Sequence, residues 1–115
     1  MSHERMQSCI DACLDCAVEC QHCATACLNE KDVKMLARCI QLDLECAEAC
    51  YASARLMSIG GENAAAFCAT CAEICDACAE ECEKHAQHGM EHCRRCAEAC
   101  RKCAEECRSM AQQPV

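Results

Sequence analysis

The 115-residue sequence contains no Trp, a single Phe (Phe67) and a single Tyr (Tyr51). With so few aromatics and a modest aliphatic set, most of any interior must be filled by Ala, Cys and Met, which makes a thin and polarisable core. Proline occurs once, as Pro114 at the end of the chain, and glycine three times. Turns are therefore few, no Gly- or Pro-rich linker divides the chain, and residues 1–115 read as one domain. No stretch reaches the roughly 20 apolar residues of a membrane-spanning helix, because charged side chains interrupt every segment. The opening residues Met1 to Met6 are polar and charged and lack the apolar run of a secretory signal, so the expected location is cytoplasmic. A basic stripe backed by stacking aromatics is also missing. The net charge is −8, and Arg94, Arg95, Arg101 and Lys102 alternate with Glu98, Glu105 and Glu106. This excludes a nucleic-acid surface and reads as a solvated outer face that keeps a bundle soluble.

What the sequence has instead is sulfur, in 19 cysteines. That is about twice the fraction that marks a short chain as built on thiols. In a reducing cytosol thiols stay thiols, so this many reads as metal binding and not as a disulfide framework. The odd number would in any case leave one without a partner.

The cysteines fall into four clusters. The first holds Cys9, Cys13, Cys16, Cys20, Cys23 and Cys27, the second Cys39, Cys46 and Cys50. The third holds Cys68, Cys71, Cys75, Cys78 and Cys82, and the fourth Cys93, Cys96, Cys100, Cys103 and Cys107. Turn signals separate them at Asn29 to Asp32, Ser58 to Asn63 and His88-Gly89. Intervals of three and four residues, with one of seven between Cys39 and Cys46, place each cluster on one seam of an α-helix, which no strand would do. The other positions are dominated by the helix formers Ala, Glu, Lys, Arg and Gln. Helices are expected over about 3–28, 32–58, 62–87 and 90–111. Links this short force neighbouring helices antiparallel, so the fold class is all-α, an up-down-up-down four-helix bundle with a Cys-lined core.

Side chains three or four apart on a helix have Cβ atoms about 5 to 6 Å apart, close enough for two thiolates to share one metal ion. A single seam cysteine is readily explained as a small buried hydrophobe. The set is not, since Leu or Ile would pack better at nearly every one of those positions. Charge selects the ion. Four thiolates around zinc leave a centre of about −2, and stacking several in one narrow core accumulates buried charge. One Cu(I) per thiolate is neutral, soft ligands suit a soft ion, and low coordination numbers tolerate irregular sites. The expected cofactor is therefore multiple Cu(I) ions, approaching one per cysteine.

The second helix departs from the rule. Extending its seam from Cys39, Cys46 and Cys50 gives Leu36, Asp43, Ser53 and Met57. Asp43 then either points inward between thiols or, on a shifted helix, stays partly solvated; an isolated buried acid is costly. Antiparallel packing is expected to gather Cys27, Cys39, Cys82 and Cys93 at one end of the tube, with His85 and His92 as candidate ligands and His88 in the adjoining turn. The other end should gather Cys9, Cys50, Cys68 and Cys107 with Met6, Met57 and Met110, which read first as core plugs and second as ligands. An apolar stripe of Ile40, Leu44, Ala47 and Tyr51, with Ile10, Ala17 and Ala24 on the first helix, implies either packing against a second copy or ordinary packing along the bundle flank.

The Cys-x-x-x-Cys and Cys-x-x-Cys seams from Cys9 to Cys27, Cys68 to Cys82 and Cys93 to Cys107 resemble those of the cytosolic copper storage proteins, over nearly the whole chain. The resemblance implies a four-helix bundle, usually a tetramer, that loads Cu(I) onto inward cysteines and holds copper in the bacterial cytosol. It implies an acid on the second helix and histidines at an open end, which by position are Asp43, His85 and His92. It also implies a homo-oligomer, a copper donor or acceptor protein as partner, and a storage protein, not an enzyme. The alternatives are an iron-sulfur electron carrier and a zinc-thiolate buffer. Against the first, the cysteines do not form the Cys-x-x-Cys-x-x-Cys loop run with a distant Cys-Pro. A thiol-redox enzyme built on a pair such as Cys13 and Cys16 lacks the sheet context of such motifs.

Overall fold

The computed structural model of the chain describes residues 3–112. Pro114, read above as the end of the chain, lies outside the described residues, as do Met1 and Ser2. Four α-helices follow one another: α1 (His3–Leu28), α2 (Ala37–Ile59), α3 (Ala64–Ala86) and α4 (Glu91–Ala111). Among the described residues there is no strand.

Each helix stops where the backbone can turn. Gly60 closes α2 with a left-handed φ of 75° and its N–H bonds back to the carbonyls of Leu56 and Met57. That conformation is strained for any residue with a Cβ, so glycine belongs there. Gly89, at φ 87°, serves the same purpose between α3 and α4. After α1 the Asn29 amide reaches back to the Thr25 carbonyl at 3.2 Å and covers one of the carbonyls the helix end leaves open. The second helix starts later than the pattern suggests: Val33–Leu36 form one 3-10 turn before α2 begins at Ala37. This tighter turn puts Leu36 on the inner face, where it is 1% exposed.

The helices form a square, with α1 beside α2 and α4, and α3 beside α2 and α4. The short connections make each neighbour antiparallel, and the rod measures 47 × 19 × 18 Å. Two sets of small side chains make this narrow section possible. Cysteines line the axis, and alanines such as Ala17, Ala47, Ala72, Ala79, Ala97 and Ala104 lie buried where helix flanks meet. The flank alanines let the backbones approach, and that brings the four seams within reach of one another.

The apolar stripe behaves as flank packing. Ile10, Ala17, Ala24 and Ala47 are buried within the single chain, and Ile40 and Tyr51 are half-covered against the same core. Leu44 alone of that set projects outward, at 52% exposed. Other apolar side chains also face outward, among them Leu14 and Val18, one turn apart on α1. Outside, ion pairs cross between helices. Arg95 meets Glu19 at 3.0 Å, and Arg101 bonds both Glu83 and Asp76, at 2.8 and 3.2 Å, with Arg108 also on Asp76. Each contributes little on a solvated surface.

Candidate metal centre

All 19 cysteines are buried and all are free thiols. Their sulfurs form a continuous column along the axis. At its middle, Cys16 Sγ lies 3.7 Å from Cys100 and 3.9 Å from both Cys20 and Cys46. Cys46 continues to Cys75 at 3.6 Å, and Cys75 to Cys50 at 3.7 Å. Below that, Cys103 is 3.6 Å from Cys13 and 3.7 Å from Cys50, and Cys107 is 3.7 Å from both Cys9 and Cys13. A disulfide needs about 2.05 Å, so these are open contacts. Sulfurs bonded to one ion at about 2.3 Å would be about 3.8 Å apart in a tetrahedral site and about 4.0 Å apart in a trigonal one. The apo spacing already matches a metal-thiolate array.

Contributions come from every helix. Cys16, Cys46, Cys50 and Cys75 form one close group, Cys20, Cys78, Cys96 and Cys100 another, and Cys13, Cys71, Cys103 and Cys107 a third, with ligand atoms within 4.8 Å of one another in each. Successive groups lie next to one another along the column, which gives sulfurs the position of bridging ligands. Thiols this close divide into donors and acceptors. Hydrogen bonding to Cys100 and Cys103 pushes the Cys16 thiol up, whereas bonds from Cys100 and Cys16 hold Cys46 down.

Asp43 points inward and is fully buried. Thiols of three other positions converge on its Oδ1, with Cys78 at 3.2 Å, Cys96 at 3.3 Å and Cys82 at 3.5 Å; Cys39 is 3.9 Å from Oδ2. Burial, reinforced by the nearby Cys96 and Cys39 sulfurs, pushes this carboxyl up to about 9, so at neutral pH it is held protonated. The sequence left both orientations open; the inward one follows because α2 keeps its seam in phase from Leu36 through Cys39, Cys46, Cys50 and Ser53 to Met57, all of them buried.

The two ends differ in chemistry. At one, Cys23, Cys27, Cys39 and Cys93 form a close group, and Cys82 lies 3.7 Å from Cys39. His92 Nδ1 faces three of these thiols, 3.5 Å from Cys93, 3.6 Å from Cys23 and 3.9 Å from Cys27. His85 lies at the same end with its Nε2 2.9 Å from Glu81. Burial works to raise the Glu81 carboxyl, but hydrogen bonds from His85 and Lys84 outweigh it and the net shift is downward. His88 is exposed in the turn. At the other end Met6, Met57 and Met110 are all buried and close the tube with apolar side chains. Cys50 sits one layer deeper than the sequence suggests. Its neighbours are Cys71, Cys75 and Cys103, and the terminal place on α2 falls to Met57, two turns further along the same seam.

Sequence reasoning missed two carboxylates, Glu30 on His92 and Glu81 on His85. Glu81 had a signal, since it stands four residues before His85 on one helix face. Glu30 had none, because 62 residues separate it from its histidine.

Comparison with known proteins decides the family. Residues 2–112 match the family described as copper storage protein. This chain belongs to the copper storage protein family. Two solved members share its fold at high sequence identity. The Cu(I)-bound copper storage protein BsCsp3 is 46% identical, with 93% of this chain and 98% of that one aligned and a TM-score of 0.86. A cytosolic copper storage protein from Streptomyces lividans, carrying five coppers, is 41% identical, with 98% and 97% aligned and a TM-score of 0.93. A cysteine-rich protein of Bacillus subtilis (strain 168), YhjQ, is 47% identical over 67 residues, which are 58% of this chain and 62% of that protein. Copper storage proteins thus supply the frame in which the sulfur column is to be read.

Proposed function

We propose that this chain takes up many Cu(I) ions along its bundle axis and holds them as a copper–thiolate column. The observation that carries this reading is the column of buried free thiols contributed by all four helices, in contact at 3.6 to 4.0 Å from Cys9 and Cys107 through to Cys96, where the Asp43 carboxyl joins it to the Cys39–Cys82 pair of the histidine end. Every cysteine from Cys9 to Cys107 is a ligand in it, most of them bridging. One monovalent ion per thiolate leaves the column neutral, whereas zinc in the same sulfurs would accumulate negative charge in a core with no buried cation to offset it among the described residues. Asp43 and His92 supply the oxygen and nitrogen nearest the histidine end, where ions first meet ligands; His85 joins them there. The methionine end stays closed, with Met6, Met57 and Met110 as plugs.

The role is storage, and no substrate is converted. Its place is the cytoplasm, where thiols remain reduced; the cytosolic relative from Streptomyces lividans supports this. No helix of the described residues is long and apolar enough to cross a membrane. Copies associate, as the family resemblance implies, into a tetramer, and the exposed Leu14, Val18 and Leu44 are part of the apolar surface available for it. Copper arrives from and leaves to a donor or acceptor protein by exchange between thiolates.

Anaerobic titration of the reduced chain with Cu(I) against a competing chelator tests the reading. Saturation close to the thiol count is expected. Saturation after only a few ions would return the zinc or iron-sulfur alternative.

A further inference from the structure

The histidine end contains a carboxylate that the thiol column does not account for. Glu30 lies in the connection after α1, outside every cysteine seam, and its Oε2 is 3.0 Å from Nε2 of His92, 62 residues further along the chain. The ring is well covered, at 14% exposed, while the carboxylate is at 37% and faces water. An ionised carboxylate only accepts hydrogen bonds, so the proton of this pair sits on Nε2. With the ring neutral, the lone pair is then on Nδ1, the atom that faces Cys93, Cys23 and Cys27 at 3.5, 3.6 and 3.9 Å. Metal-binding histidines commonly have this arrangement, in which a carboxylate on one ring nitrogen orients the other and raises its basicity.

We propose that Glu30 is a positioning residue that fixes the His92 ring so that Nδ1, with Cys23, Cys27 and Cys93, forms the nitrogen–sulfur site receiving the first Cu(I) at this end. The assignment rests on the storage reading. It also explains why the α1–α2 connection is tied to the start of α4: the loop sets the direction of a ligand. Glu30 does not touch the ion and acts only through the ring. Glu81 differs, because it shares its oxygens among His85, Lys84 and Arg38 in one surface-edge ion group.

The test compares the full chain with Glu30→Ala, Glu30→Gln, His92→Ala and the Glu30→Ala/His92→Ala double variant, with circular dichroism confirming that each is folded. Uptake of one equivalent of Cu(I) from a coloured Cu(I) chelate is followed anaerobically, and ¹⁵N spectra of the histidines are recorded before and after. Glu30→Ala is expected to weaken or slow first-equivalent uptake about tenfold. Glu30→Gln, which keeps an acceptor oxygen, should restore most of it, and Glu30→Ala should have no further effect once His92 is gone. In the parent chain one equivalent should move the His92 Nδ1 resonance, and less so in Glu30→Ala. An equal loss from Glu30→Ala in the His92→Ala background, or no loss in either, overturns the assignment. Total capacity separates the two levels of inference. A parent chain that saturates at a few ions refutes storage, whereas full capacity with additive variants refutes only the role of Glu30.

Discussion

Replacing Asp43 by Asn in the metal-free protein should make its stability less sensitive to pH, and the size of the effect follows from the carboxyl's surroundings. The group is fully buried, and its folded-state value is pushed from 3.8 up to about 9 by burial and by the sulfurs of Cys96 and Cys39. Between those two values the folded chain binds a proton that the unfolded chain has released. Stability from this group is therefore fully present below pH 3.8 and is lost as pH rises toward 9. The slope is about 1.4 kcal/mol per pH unit, so between pH 5 and pH 8 the parent apo protein should lose about 4 kcal/mol relative to Asp43→Asn. Cysteines of the unfolded chain titrate as well, but they are common to both proteins and cancel in the difference. The amide needs partners of its own and costs about 1 to 3 kcal/mol where they are poor, which offsets the two curves without changing their divergence. Denaturant unfolding of both reduced apo proteins, followed by circular dichroism at intervals of pH, measures it. Parallel curves from pH 5 to pH 8 would mean that Asp43 is ionised in the folded state, and the account of a neutral acid among thiols would be wrong.

Met57 is fully buried at the closed end, so Met57→Ala should lower apo stability by about 2 to 5 kcal/mol in denaturant while leaving Cu(I) capacity unchanged; a lower capacity would make it a ligand instead of a plug. Gly60→Ala places a Cβ in open space but at a φ of 75°, and the backbone cost of about 1 kcal/mol should appear as a lower thermal midpoint. Leu14→Glu with Val18→Glu should shift the chain toward monomer in analytical ultracentrifugation without altering its helicity, since both side chains face outward.

Much of this architecture is legible in the residues because one constraint is written into it repeatedly. A helix that must present a thiol to the axis every three or four residues has no freedom in its phase, and three such helices with short connections leave room for one bundle. The same rule extended to α2 names Leu36, Asp43, Ser53 and Met57 as inward, and all four are buried. Periodicity does not distinguish an inward face that is sealed from one that is partly wet. The orientation of Asp43 was open on the sequence for that reason, and the apolar flank of Ile10, Ala17, Ala24 and Ala47 read equally well as an interface and as interior.

Interval and composition alone therefore determine that this chain is four helices with sulfur on one face of each, because hydrogen-bonded backbone geometry converts spacing along the chain directly into direction in space. Axial position across helices is another matter. It depends on how far each rod slides against its neighbours, and alanine flanks tolerate several registers. Only the packed structure places Cys50 a layer inside the closed end, aims three thiols at one oxygen of Asp43, and sets Glu30 against His92. Those contacts join residues that share no turn, so nothing short of the folded bundle brings them together.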